Sequence, residues 1–182
     1  VYKRQPGNTV SNLSSSRALK DVTEAYGQQY HAAAVGEVNV VAEMKRTHSV
    51  IGGEGNGGVI YPESHYGRDA LVGVGLFLSH YVAQSKKMTE LKSTYPPYFI
   101  SKNKMTLSPD MDVDKILEGL KERYATEKVT DIDGVKIDFA QGWVHLRKSN
   151  TEPIIRIYSE AKDEAAANQL AEEVIAAAKS TL

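Results

Sequence analysis

Gly142-Trp143-Val144-His145-Leu146-Arg147-Lys148-Ser149-Asn150-Thr151-Glu152-Pro153-Ile154-Ile155-Arg156-Ile157-Tyr158 reads as two strands joined by a short turn, and it decides how the second half of the chain folds. β-branched and aromatic residues fill both flanks, and residues 149–153 supply turn chemistry, so the pattern predicts a hairpin. Arg147 leaves one strand and Arg156 enters the next, which lets both guanidiniums converge on the loop. Their planar forks give bidentate, charge-assisted hydrogen bonds to phosphate. Ser149, Asn150, Thr151 and loop N–H groups complete a shell for the phosphate oxygens. Trp143, His145 and Arg147 share strand parity, as do Ile154, Arg156 and Tyr158, so both arginines are expected on the face that helices leave open. Arginines paired with Glu152 or Glu160 in a plain polar hairpin explain the same residues without a ligand. Glu152 is expected to orient the hairpin, since a phosphate cradle offers a base little to abstract, and Lys148 to face solvent.

Outward from the hairpin, a strand is expected over residues 98–105, followed by a helix with Val113, Ile116, Leu117, Leu120 and Tyr124 on one face. Strands at 128–132 and 135–139 come next, and a last helix starts near Asp163 and packs through Ala167, Leu170, Ala171, Val174 and Ala178. Two helices on one face of an antiparallel sheet make an α+β layer over residues 98–182. Upstream, the composition turns polar at Ser85, and Pro96-Pro97 punctuates the chain, which marks residues 89–97 as a linker.

Residues 1–88 alternate helices and strands. Ala18, Leu19, Val22 and Tyr26 share a helical face, with Ser14 to Ser16 as a cap and Gly27 as a stop. A strand near residues 29–34, a helix over 37–45 and a strand at 49–51 follow, then a glycine-rich loop from Gly52 to Gly58 and a third apolar run. Asp69 is placed to cap a helix over 70–84 whose Leu71, Val74, Leu78 and Val82 are spaced for burial. This is a βα pattern with a mainly parallel sheet. The glycine loop has neither the dinucleotide nor the P-loop spacing. Its functional side chains, Glu54 and Asn56, suit vicinal sugar hydroxyls, one accepting and the other donating, though a glycine-rich turn between strands is by itself a weak signal.

A formal net charge of −1 with scattered basic residues argues against nucleic acid, and no segment has membrane-spanning length. With no cysteine there is neither a disulfide nor a thiolate metal site, which fits a reducing cytoplasm. The five histidines show no ligand spacing. The chain opens on Val1 and not Met, and its first residues look like neither a signal peptide nor a domain start, so a fragment is expected.

Gly53-Glu54-Gly55-Asn56-Gly57-Gly58 and Arg147-Lys148-Ser149-Asn150-Thr151-Glu152-Pro153 together resemble the sugar-binding and phosphate-binding loops of the α-D-phosphohexomutases, the family of phosphoglucomutase, phosphomannomutase and phosphoglucosamine mutase. Ser14-Ser15-Ser16-Arg17, Val35-Gly36-Glu37 and Gly67-Arg68-Asp69-Ala70 extend the resemblance over essentially the whole chain in the family's order. The resemblance implies a four-domain enzyme of which residues 1–88 form most of the third domain and 98–182 the fourth. The third would be a truncated three-layer βα domain, its leading strand and helix absent and a packing face exposed. The fourth would be TATA-binding-protein-like, an antiparallel sheet with two helices on one face.

The implied activity moves a phosphoryl group between C1 and C6 of a hexose phosphate, the partner substrate, through a phosphoserine and a hexose 1,6-bisphosphate. The serine loop and the Mg2+ loop belong to the missing N-terminal domains, so no catalytic residue and no metal ligand is expected here. Arg147, Ser149, Asn150, Thr151 and Arg156 would bind phosphate, and Glu54, Gly55 and Asn56 sugar. Phosphoglucosamine mutase is the expected activity, a dual phosphoglucomutase/phosphomannomutase or a non-catalytic phosphosugar-binding module the alternatives. Ala33, Ala34, Glu37 and Gly58 stand where the family often shows histidine or a basic residue, which counts against a phosphate contact by Val35-Gly36-Glu37. Arg68 is expected in the first helical turn, paired with Asp69 or Glu63, with a sugar-phosphate contact as the other reading.

Overall fold

The computed structural model describes residues 6–108, 111–149 and 151–180, so Asn150 of the expected cradle lies outside the described residues. The chain divides into two compact units, one running to Pro97 and one starting at Tyr98.

The first unit contains β1 (Thr9–Asn12), α1 (Ala18–Ala25), β2 (Tyr30–Ala33), α2 (Glu37–Thr47), β3 (Ile51–Glu54), β4 (Gly58–Tyr61), β5 (His65–Arg68), α3 (Ala70–Gln84) and α4 (Met88–Lys92). Its sheet runs β2-β1-β3-β4-β5. β1 is parallel to both β2 and β3, as the βα pattern requires, while the tight connections after β3 and β4 make those pairs antiparallel. The sheet is therefore mixed. β1, which no periodicity marks, lies inside the sheet between β2 and β3. Val10 faces the core of Ala33, Val40, Met44 and Ile60. On the other face Thr9 meets Thr23 of α1 at 2.7 Å and Ser11 meets the Tyr30 hydroxyl at 2.8 Å, so hydroxyl pairs replace apolar contacts.

Three expectations for this unit are corrected. Glu54 ends β3 and Gly58 begins β4, so the glycine loop shrinks to residues 55–57. On α3, capped by Asp69 through a 2.9 Å bond from Val72 N–H, the residues spaced for burial are exposed: Leu71 84%, Val74 54%, Leu78 51% and Val82 74%. The helix is apolar almost all round, more than one sheet face can cover. It meets β4 where Gly73 stands against Val59. Residues 89–92 of the expected linker belong to α4, with Leu91 buried.

The second unit contains β6 (Phe99–Thr106), α5 (Val113–Arg123), β7 (Lys128–Thr130), β8 (Val135–Asp138), β9 (Gly142–Lys148), β10 (Ile154–Ala161) and α6 (Glu164–Lys179). The order β6-β10-β9-β8-β7 is antiparallel throughout. Val135, Ile137, Val144, Leu146, Ile155 and Ile157 form one core cluster with Ile116 and Leu120 of α5 and Leu170 and Val174 of α6. Both helices are capped by aspartate: Asp112 accepts from Asp114 and Lys115 N–H, and Asp163 accepts from Ala166 N–H at 2.8 Å. Alternate residues of β8 to β10 thus belong to the helix-packed core, and the expected parity holds.

Ile157→Ala removes a fully buried side chain from this cluster and is expected to lower unfolding stability by about 2–5 kcal/mol. Leu71→Ala on the exposed face of α3 should change it by less than about 0.5 kcal/mol. Urea denaturation of both variants checks the contrast, and equal losses would contradict the assigned burial.

Candidate functional site

In the first unit, Glu54 is the hub. Its side chain is only 6% exposed, and Oε2 lies 3.2 Å from Arg68 Nη1. Oε1 accepts from Asn12 Nδ2 at 3.1 Å and from Gly36 N–H at 3.2 Å. Asn12 is itself oriented, since its Oδ1 accepts from the Ser15 hydroxyl at 2.8 Å. Arg68 ends β5 and is not in a helical turn. Its partners are not the expected Asp69 or Glu63: Nε donates to Glu37 Oε2 at 2.7 Å, and its backbone N–H donates to Glu37 Oε1 at 3.3 Å. The Arg68 side-chain hydrogen bond first, then its backbone N–H and its charge, hold the Glu37 carboxyl below the usual range, and Glu37 in turn raises Arg68. Asn12, Ser15 and Arg68 carry no sequence signal for this role beyond lying in short polar motifs.

Around this hub the glycines are steric requirements. A Cβ on Gly55 would come within 2.9 Å of the Ser14 carbonyl, and one on Gly53 would strike the Gly58 carbonyl. Gly57 takes φ +92, where other residues are strained. Asn56 Oδ1 accepts from Gly58 N–H at 3.1 Å, which leaves its side-chain NH2 unpartnered among the described residues. A cleft of about 280 Å³ beside the turn is lined by Ser11, Ser15, Leu19, Ile51, Glu54 and Val59, among others.

In the second unit, Arg156 stands directly opposite Arg147 on β9 and directly opposite Lys104 on β6. Three cations thus form one cross-strand row. Like charges so placed repel one another, and an anion relieves them. Arg156 pairs with Glu152 at 2.9 Å, as the plain-hairpin reading allows, and this exposed partner is easily displaced. Arg147 and Lys104 make no hydrogen bond or ion pair among the described residues. The turn is closed by Ser149 N–H donating to the Ile154 carbonyl at 3.0 Å, and Ser149 Oγ accepts a long 3.4 Å bond from Thr151 N–H. Ser149 is buried and Thr151 exposed. Glu160 is taken up by Trp143, whose Nε1–H donates to it at 2.9 Å.

Among the described residues no group of three or more His, Cys, Asp or Glu is placed to hold a metal ion, so no step is assigned to Mg2+ on them. No helix among them is long and apolar enough to cross a membrane.

Residues 2–98 match the family described as phosphoglucomutase/phosphomannomutase, alpha/beta/alpha domain III, and residues 102–177 match that family's C-terminal domain. The chain belongs to the phosphoglucomutase/phosphomannomutase family. It is 36% identical over 91% of its length to a phosphoglucosamine/phosphogalactosamine mutase of Sulfurisphaera tokodaii, covering 37% of that protein. It is also 36% identical over 91% of its length to a phosphoglucomutase/phosphomannomutase of Thermococcus kodakarensis, covering 36% of it. The chain therefore spans a little over a third of these curated relatives. A solved family member from Burkholderia thailandensis superposes with a TM-score of 0.77 at 22% identity, over 97% of this chain and 38% of that one. Parafusin, a phosphoglucomutase of Paramecium in its open form, gives 0.75 at 15% identity, over 94% and 37%. These two likenesses concern the fold.

His145, two residues from Arg147 on β9, is buried and donates Nε2–H to the Asp133 carbonyl at 2.7 Å. Burial, partly offset by that bond, pushes its pKa from 6.5 down to about 4. An unfolded chain takes up this proton at a higher pH than the folded one, so the stabilisation is complete above 6.5 and is lost as pH falls toward 4. The loss from this residue is expected to be on the order of 3 kcal/mol. Comparing unfolding free energies of wild type and His145→Gln at neutral pH and near pH 4 measures it; parallel pH profiles would contradict the assignment.

Proposed function

We propose that this chain is the substrate-holding C-terminal part of a phosphohexomutase, an isomerase moving a phosphoryl group between C1 and C6 of a hexose phosphate. In that reaction a phosphoserine elsewhere in the enzyme phosphorylates the sugar monophosphate. The bisphosphate then turns round and returns its other phosphoryl group to the serine. Mg2+ is ascribed to residues outside this chain. Holding the sugar by its non-reacting parts restricts the bound reactant and lowers the barrier.

The non-reacting phosphate is assigned to Arg147, Ser149, Asn150, Thr151 and Arg156, and the ring hydroxyls to Glu54 and Asn56, with Gly55 allowing close approach. The observation that carries this reading is the row in which Arg147, whose side chain has no partner among the described residues, faces Arg156, beside a turn that offers Ser149 and Thr151. Glucosamine phosphate is the preferred substrate, supported by relatives named phosphoglucosamine mutase from several archaea. The second reading, glucose and mannose phosphates, is favoured by the Thermococcus relative at equal identity.

Because the cradle's donors come from one hairpin, the chain by itself should bind inorganic phosphate, with affinity on the order of millimolar. Titration followed by amide chemical shifts should move Ser149 and Thr151, and shifts confined to other residues would sink the assignment. In the full-length enzyme, Arg147→Lys keeps the charge but loses the fork, so kcat/KM should fall for every hexose phosphate alike, by about 1–3 kcal/mol in transition-state binding. Glu54→Gln should cost an amount that depends on the sugar. Measuring glucose, mannose and glucosamine phosphates on both variants separates the roles; the reverse pattern of losses would overturn them.

A further inference from the structure

We propose that Arg68 is a positioning residue for sugar recognition: its ion pair holds the Glu54 carboxylate so that Oε2 is the oxygen left to accept from a ring hydroxyl. The inference rests on the assignment of Glu54 to the sugar.

A carboxylate oxygen has about two acceptor directions. Both on Glu54 Oε1 are used, by Asn12 Nδ2 and Gly36 N–H, while Oε2 faces the Arg68 guanidinium as an ion pair, 3.2 Å from Nη1. The donors come from β1, from the turn before α2 and from β5, so no single local movement reorients the group. At 6% exposure the side chain has little water to replace a lost donor.

Arg68 is held as firmly as the group it holds. Glu37 takes both its Nε–H and its backbone N–H, which restrains the guanidinium with Nη1 at ion-pair distance from Glu54. Gly58 gives the arginine stem its place on β4, since a Cβ there would lie 2.5 Å from Arg68 Cδ. A lysine at this position has one compact ammonium and cannot satisfy Glu37 and Glu54 in two fixed directions.

A fixed acceptor oxygen reads the position of one hydroxyl. A carboxylate free to swivel accepts from whichever hydroxyl is near. Loss of Arg68 therefore relaxes discrimination between epimeric sugars more than it weakens binding of any one. An ion pair that merely decorates the surface would leave that discrimination untouched, and with Arg68 46% exposed such a pair would be worth little.

The test uses the chain as it stands, in wild-type, Arg68→Gln and Arg68→Lys forms, followed by amide chemical shifts. Glucose 6-phosphate and its C2, C3 and C4 epimers are titrated, and the spread of affinities is read at residues 55–57. Arg68→Gln is expected to narrow the spread by about tenfold, since a buried carboxylate loses its charged partner, and to move the Gly36 amide and Asn12 side-chain signals. Arg68→Lys should be intermediate, and it decides the matter should the glutamine variant lose native signal dispersion. Inorganic phosphate binding at Ser149 should be unchanged in both. A wild-type spread that survives in both variants would overturn the role of Arg68 while leaving Glu54 in place. No response of residues 55–57 in the wild type would instead remove Glu54 from sugar binding, and this inference with it.

Discussion

The pairing of β9 with β10 places Arg156 against Arg147, and that register fixes where the second unit can hold an anion. Two guanidiniums set face to face across a ladder repel by roughly 0.2–1 kcal/mol. Each isoleucine or leucine buried from the same strands contributes about 1.5–3 kcal/mol, so Val144, Leu146, Ile155 and Ile157 decide the register and the charges follow. A slip of one residue would turn that apolar set outward. The repulsion left on the open face is an energy that a bound anion recovers, with Lys104 on β6 adding to the same row.

The first unit arranges its charge differently. Here one carboxylate is surrounded by donors from three elements, and the glycines serve to bring backbone close to it. The contrast is between charge held apart from its partner in the hairpin and charge already satisfied around Glu54, a difference that suits a strong anion on one side and neutral hydroxyls on the other.

What the sequence made readable follows from the same distinction. Helices α5 and α6 and strands β8 to β10 were legible because their burial follows one period, and the hairpin because its ligand groups are contiguous from Arg147 to Arg156. β1 was not, since Thr9, Ser11 and Asn12 satisfy themselves through side-chain hydrogen bonds and leave no apolar rhythm. β5 was hidden by its exposure and by Gly67. On α3 the spacing of Leu71, Val74 and Leu78 gave a helix correctly but could not say what covers it. Arg68 was misplaced because nothing local links it to Glu37 or Glu54; only the assembled sheet does.

The two clusters also differ in how far along the chain their bonds must reach. Ser149 closes on Ile154 within a single turn, whereas the bonds to Glu54 span 42 residues from Asn12 and 18 from Gly36, and Arg68 reaches Glu37 across 31. Loop-closure entropy rises with such separations, and low contact order goes with fast formation. The proposed anion cradle can thus take shape with its hairpin, while the carboxylate cluster waits for β1, β3 and β5 to dock. Detachment of the outermost strand, β5, is then enough to release Arg68, so the cluster can be no more durable than the sheet's edge.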